Sequence, residues 1–184
     1  GVNGFGTDVM AAWTAYSKID GLFWMIISAF GISITTFVGQ NYGAGNLPRI
    51  RSGVRAANIL AVLSSLVIAA VMLIFGRPIT MLFISREDMA LALEAGETAY
   101  RYLCLMSVSL PILYELYVYM SALQGMGNTF LPMVSGIMEL AARLAAALTL
   151  PLVMGETGVF YAEVLAWLGA VAYLLQIYFD FSGY

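Results

Sequence analysis

The sequence contains no histidine, a single cysteine and few charged residues. With only Cys104, the chain cannot form an internal disulfide. The lack of histidine argues against a zinc site built from His and Cys and against a catalytic triad that needs a histidine base. Charged residues make up 10% of the chain, whereas soluble domains average about 25%. The net charge of −3 and the lack of a long basic run argue against a nucleic-acid partner.

Apolar residues dominate what is present. They make up 61% of the 184 residues, and the mean hydropathy is +0.88. A single soluble core cannot hide this much apolar surface, so we expect much of it to face lipid. The clearest stretch runs over residues 56–75 without one charge, between Arg55 and Arg77, and it is long enough to cross a bilayer.

The pattern of apolar stretches predicts an all-α, polytopic membrane helix bundle with about five transmembrane helices. The predicted spans are residues 7–39, 49–84, 88–124, 129–154 and 157–181. The connections are short, and none is long enough to divide the chain into two domains. The chain begins with Gly1 and shows no signal peptide, so we expect the start to be a cut in a longer chain.

Two of the connections share the same turn residues. In residues 40–48, a glycine can end one helix, and Asn46 and Pro48 suit the start of the next. Residues 124–132 repeat the order of Gln, Gly-x-Gly-Asn and Leu-Pro. We interpret this repeat as reuse of the same helix caps. Residues 85–88 resemble a capping box at the start of the third span.

Charged residues inside predicted spans are candidates for function, because ionised groups in hydrocarbon usually face the interior of a bundle. Glu139 and Arg143 are four residues apart and can pair on one helix face. A structural pair that fixes helix packing is the favoured interpretation. The alternative is a titratable glutamate whose charge a coupling ion or cationic substrate controls.

Three further acids call for separate interpretations. Glu115 follows Pro111, which removes a backbone hydrogen bond, and Tyr119 lies one turn onward. Glu115 could attract a lipophilic cation, or it could pair with a basic group elsewhere or be protonated. Glu163 has a structural snorkelling role or a site role. Asp20, near Lys18 at the outer end of the first span, is expected to be simply solvated.

Motifs of soluble enzymes are missing. The glycine-rich residues 42–46 lack the Lys-Ser/Thr of a phosphate-binding loop and do not follow a strand. No Gly-x-Ser-x-Gly occurs. We therefore predict that the protein is not an enzyme and has no metal site or cofactor, and that an ion gradient supplies its energy.

Four segments resemble motifs of one transporter family in the same order. Residues 37–51 resemble the Gln-x-x-Gly-Ala-Gly signature of multidrug and toxic compound extrusion (MATE) transporters, and residues 122–133 resemble the turn after the tenth helix of that family. Residues 136–143 and 162–170 are similar to its eleventh and twelfth helices. The residues we assign to signature or structural roles are Gln40, Gly43, Gly45, Pro111, Gly125 and Gly127.

The resemblance implies a twelve-helix transporter of two lobes, of which this chain holds helices eight to twelve. It implies export of drugs and organic cations in exchange for Na⁺ or H⁺ by alternating access, with the N-terminal lobe and the lipid bilayer as partners. The alternative within the superfamily is a flippase for lipid-linked saccharides. The expected location is the bacterial cytoplasmic membrane. The arginines of residues 49–55 place that turn and the C-terminus on the cytoplasmic side.

The resemblance does not transfer the coupling site. The acid that some members carry on the tenth helix falls on Leu113 here, and Glu115 lies two residues later, about half a helical turn away. Both Na⁺ and H⁺ therefore stay open as the coupling ion. The candidate residues for substrate or coupling ion are Glu115, Tyr119, Glu139, Arg143 and Glu163.

Overall fold

The computed structural model describes residues 7–83, 89–155 and 157–181, and every regular element in them is an α-helix. The predicted all-α class is thereby confirmed. In chain order the helices are α1 (Thr7–Gly43), α2 (Leu47–Met81), α3 (Met89–Gly125), α4 (Phe130–Thr149), α5 (Pro151–Met154) and α6 (Thr157–Phe181). The capping box predicted at residues 85–88 lies outside the described residues.

The span predicted over residues 129–154 is divided into two helices. Pro151 has no N–H group to donate to the carbonyl four residues earlier, so α4 ends at Thr149 and the four-residue α5 begins at Pro151. The start of α5 lies close to the first turn of α6. A Cβ atom on Gly158 would lie 2.6 Å from the carbonyl carbon of Leu150, so only glycine allows this contact.

The two turns with similar sequences have the same hydrogen-bond pattern. At the first turn, Gly45 has a φ of 69°, and the Asn46 side chain accepts a hydrogen bond from the Arg49 amide at 3.2 Å. At the second, Gly127 has a φ of 83°, and the Asn128 side chain accepts from the Leu131 amide at 3.1 Å. The positive φ angles explain why both positions carry glycine, and the asparagines cap the helices that follow.

Helix α3 is the centre of the bundle, since it packs against α1, α2 and α6. In its most apolar stretch, 56% of the residues are buried, compared with 22% in the most apolar stretches of α1 and α2. Helices α1 and α3 run parallel and are in close contact near their C-terminal ends. Thr35 donates a hydrogen bond to the Ser121 carbonyl at 3.2 Å. One turn later, a Cβ on Gly125 would lie 2.8 Å from the Thr35 carbonyl oxygen.

The outer faces of the helices carry large apolar side chains. Met25 and Ile32 on α1 and Ile74 on α2 are each 70% exposed. Among the described residues, four helices are long and apolar enough to cross a membrane, and residues 161–177 of α6 form a shorter apolar helix. A water-exposed surface of this kind would be unfavourable, whereas hydrocarbon accommodates it, and the backbone groups are satisfied within the helices. The chain is therefore an integral membrane protein.

Candidate functional site

Asp20 on α1 is held by two aromatic side chains of its own helix. Tyr16 donates a hydrogen bond to Oδ1 at 3.2 Å, and the Trp24 indole donates to Oδ2 at 2.9 Å. These residues lie four positions before and after Asp20, so all three share one helix face. The carboxylate is half-buried. The expectation of simple solvation was wrong, because the helix itself supplies both donors and turns this face toward other helices.

Arg143 on α4 joins two acids from two helices. Its Nη2 donates to Glu139 Oε1 at 2.5 Å, which is the pairing predicted from the spacing on α4. Its Nη1 lies 3.4 Å from Glu163 Oε1 on α6. The exposed fraction of the side chain is 36% for Arg143, 18% for Glu139 and 22% for Glu163. The structure thus brings together three of the five candidate residues.

Asp20 on α1 interacts electrostatically with charged side chains on α4 and α6. Asp20 interacts with Arg143 and with Glu163, and Glu163 interacts with Glu139 as well. We call Asp20, Glu139, Arg143 and Glu163 the charged cluster. In the described part of the chain, α1 and α4 do not pack directly on each other, but are joined through α3 and α6. The cluster therefore spans the space between them.

Aromatic rings border the charged cluster. Tyr117 on α3 contacts Trp24 edge to face, with ring centroids 5.4 Å apart at 84°, and it also interacts electrostatically with Glu139 and Arg143. Rings beside carboxylates are the features that bind organic cations, since each ring face attracts positive charge. No group of three or more acids in the described residues converges in a way that would hold a metal ion.

A groove lined by both polar and apolar residues extends from Tyr117 along the seam between α1 and α3. It has a volume of about 360 Å³ and is lined by Ser28, Gly31, Ile32, Thr35, Thr36, Tyr117, Met120, Ser121 and Gln124. A larger cavity of about 490 Å³ lies between α1 and α2, but its lining residues carry no charge and nearly all are apolar. Neither lining includes a member of the charged cluster. We place the candidate site at the cluster and the adjoining smaller groove, because Tyr117 lines that groove and also interacts electrostatically with Glu139 and Arg143.

The other two candidates, Glu115 and Tyr119, lie on a different face of α3. Asn58 on α2 donates a hydrogen bond to the Tyr119 hydroxyl at 2.7 Å, and Glu115 interacts electrostatically with Tyr119. Residues 115 and 117 are about 200° apart around a helix, which separates Glu115 from the Tyr117 side. Glu115 forms no ion pair with any residue that the structure describes. Helix α3 continues through Pro111.

Comparison with known proteins identifies the family. A family model described as MatE matches residues 2–151, most of the chain. The chain belongs to the MatE family. The prediction made from the four motifs is confirmed, and so is that of a transporter-type helical fold. No curated protein matches the chain at a significant level.

A solved MATE structure has the same fold as this MatE chain. It is the crystal structure of a MATE in complex with MaL6, with a TM-score of 0.84 and 17% sequence identity. The match covers 95% of this chain and 38% of the chain in the crystal structure. The MatE chain thus spans well under half the length of that relative. At this identity the likeness shows the fold alone, and the family match shows that the chain belongs to the MatE family.

Asp20 is the residue of this MatE site that sequence reasoning missed. Its signal is present in the sequence, because Tyr16 and Trp24 flank Asp20 one turn before and one turn after. An acid between two aromatic donors on one helix face is typical of a held carboxylate rather than a solvated one. Of the signature residues, Gly45 and Gly127 have φ angles in the left-handed region, and Gly125 lies where α1 and α3 are in close contact.

Proposed function

We propose that the protein is a cation-coupled antiporter that exports drugs and organic cations by alternating access, with Na⁺ or H⁺ as the coupling ion. The observation that carries the proposal is the charged cluster, in which Glu139 and Glu163 contact one guanidinium and Asp20 interacts with it electrostatically. Acids in hydrocarbon are costly and are retained where they have a role. An excess of acid over base suits a positively charged ligand.

The rings of Trp24 and Tyr117 support an organic cation as the substrate. They lie in contact with each other beside the acids. A cation–π contact adds about 0.5–2 kcal/mol to such a site, and more when water is excluded. The groove from Tyr117 to Gln124 supplies room for the less charged part of a ligand.

The charge balance disfavours the flippase alternative. A lipid-linked saccharide carries phosphate groups, which need an excess of basic side chains. In the described spans, the charged cluster contains one basic residue, Arg143, and that residue is already paired with Glu139. We also propose that the protein resides in the bacterial cytoplasmic membrane. The arginines at positions 49, 51 and 55 support a cytoplasmic location for the turn after α1.

The test compares efflux of a cationic dye from bacteria that carry the gene for this chain and lack their own exporters. Asp20→Asn and Glu163→Gln should each lower the initial efflux rate at least about tenfold, since loss of a single charge in a low-dielectric site is worth more than 1.4 kcal/mol. Glu94→Gln is the matched control, because Glu94 is an exposed acid far along the chain from the cluster.

Each variant is compared at equal abundance in the membrane. Unchanged efflux in both cluster variants would reject the charged cluster as the transport site. Export of a neutral or anionic compound at the same rate as the cationic dye would instead reject the substrate class.

A further inference from the structure

The Arg143 guanidinium is not fully held by hydrogen bonds, unlike an arginine with a purely structural role. Its bond to Glu139 is short and lies within one helix, so this bond survives any movement of α4 against α6. Its contact with Glu163 crosses between helices at 3.4 Å and is an ion pair without a hydrogen bond. Its Nε atom is buried and has no hydrogen-bond partner in the described structure.

A structural arginine is expected to satisfy its donors, because a buried unpaired N–H group costs about 1–3 kcal/mol. The guanidinium is therefore held by a hydrogen bond to Glu139, whereas its contact with Glu163 is a longer ion pair. Glu163, in turn, faces a like charge, since it interacts with Asp20 of α1 as well as with Arg143.

The charge count leaves room for one more cation. With all members ionised, the charged cluster holds three negative charges and one positive charge. Arg143 balances Glu139, which leaves Asp20 and Glu163 to share whatever positive charge enters. A cation placed between these two acids would neutralise Glu163 and weaken its attraction to Arg143.

We propose that Arg143 is a tethered counter-cation that competes with the transported cation for Glu163. When the site is empty, Arg143 shields Glu163 across the gap between α4 and α6. When a cation binds, Glu163 turns to that cation and Arg143 stays with Glu139, which loosens the contact between the two helices. This inference rests on the proposed function, because it assigns a regulation to the same site.

The consequence is that Arg143 weakens cation binding, although it lies inside the binding site. Removing the guanidinium should therefore raise affinity, whereas a merely structural arginine would leave affinity unchanged or lower it when lost. Arg143→Lys retains a positive charge that can compete for Glu163, so it should not show the gain in affinity. The gain should also depend on Glu163, because that carboxylate is the group for which the two cations compete.

The experiment measures equilibrium binding of tetraphenylphosphonium, a lipophilic monovalent cation, to the purified protein in detergent. Arg143→Gln should lower the Kd at least about tenfold. The double variant Arg143→Gln with Glu163→Gln should bind no more tightly than Glu163→Gln alone. Arg77→Gln is the matched control, since Arg77 forms an exposed ion pair with Glu97 outside the cluster. Thermal unfolding of each variant confirms that it is folded.

The outcomes bear differently on this inference and on the proposed function. A Kd for folded Arg143→Gln equal to or above that of the wild type overturns the competition and leaves the cation-exporter proposal standing. Binding by Arg143→Gln but not by the wild type supports the competition and counts against cation binding by the natural site. Lack of binding by both proteins rejects both. A tighter Kd that persists in the double variant overturns the role of Glu163.

Discussion

Glu115 presents a second ionisable group on α3, separated from the charged cluster by the helix itself. It lies on the side of α3 that faces Asn58 and Tyr119, whereas Tyr117 faces the cluster. We predict that Glu115→Gln weakens efflux of a cationic dye. We also predict that its effect multiplies with that of Glu163→Gln, because sites without shared partners contribute independently to the free energy.

The measurement is the initial efflux rate of the single and double variants at equal membrane abundance. A double variant no slower than the slower single variant would show that both acids serve one site, in conflict with their places on the helix. A Glu115→Gln protein with an unchanged rate would remove Glu115 from transport. Glu94→Gln again reports the effect of losing an exposed acid.

Single residues also mark the limit of what spacing along the chain can predict. Pairing of Glu139 with Arg143 follows from a separation of four residues on one helix, and the structure contains that pair. The contact of Arg143 with Glu163 and the place of Asp20 depend on how α1, α4 and α6 pack. Helix packing depends on many contacts between distant residues, so no local sequence pattern predicts it. Asp20 was misinterpreted for this reason.

Helices α1 and α3 cross with little free space between them. A Cβ on Gly125 would meet the Thr35 carbonyl oxygen and the Val38 Cβ, both at 2.8 Å. The Thr35 oxygen belongs to the backbone and cannot rotate away. Gly125→Ala should therefore force α1 and α3 apart and destabilise the protein by about 1–3 kcal/mol, the usual cost of overpacking.

The midpoint of thermal unfolding in detergent checks this expectation. Gly136→Ala is the matched control, since Gly136 is also helical and a Cβ there meets nothing within 4 Å. The control should be neutral or slightly stabilising, because alanine favours helix over glycine by about 1 kcal/mol. Equal midpoints for the two variants would contradict the close approach of α1 and α3.

For the molecule as a whole, composition and motif order predicted the class and the family. Long uncharged stretches can be accommodated only as membrane helices, and short turns with Gly, Asn and Pro can be recognised from their residues alone, as at Asn46. The break at Pro151 was missed because hydropathy is continuous through it, although the missing N–H of proline was the physical signal. Local rules therefore predict helices well and the assembled site only in part.

Parallel packing of α1 and α3 places the turns that follow them on one side of the membrane. Residue numbers increase together along the two helices, because Trp24 contacts Tyr117 and the later Thr35 contacts the later Ser121. The arginines after the first turn favour the cytoplasmic side for both. In a Cys104→Ser background, we expect Ala44→Cys and Met126→Cys to react with an impermeant maleimide only in inside-out vesicles. Phe83→Cys, at the other end of α2, should react only in intact cells.

The parallel arrangement of α1 and α3 and the orientation in the membrane would be contradicted by different results. Labelling of Ala44→Cys and Met126→Cys from opposite sides would contradict the parallel arrangement of α1 and α3. Labelling of both from outside, with Phe83→Cys labelled from inside, would preserve that arrangement and reverse the orientation. The first result would also separate the charged cluster, since Asp20 and Tyr117 reach it only because α1 and α3 run side by side in the same direction.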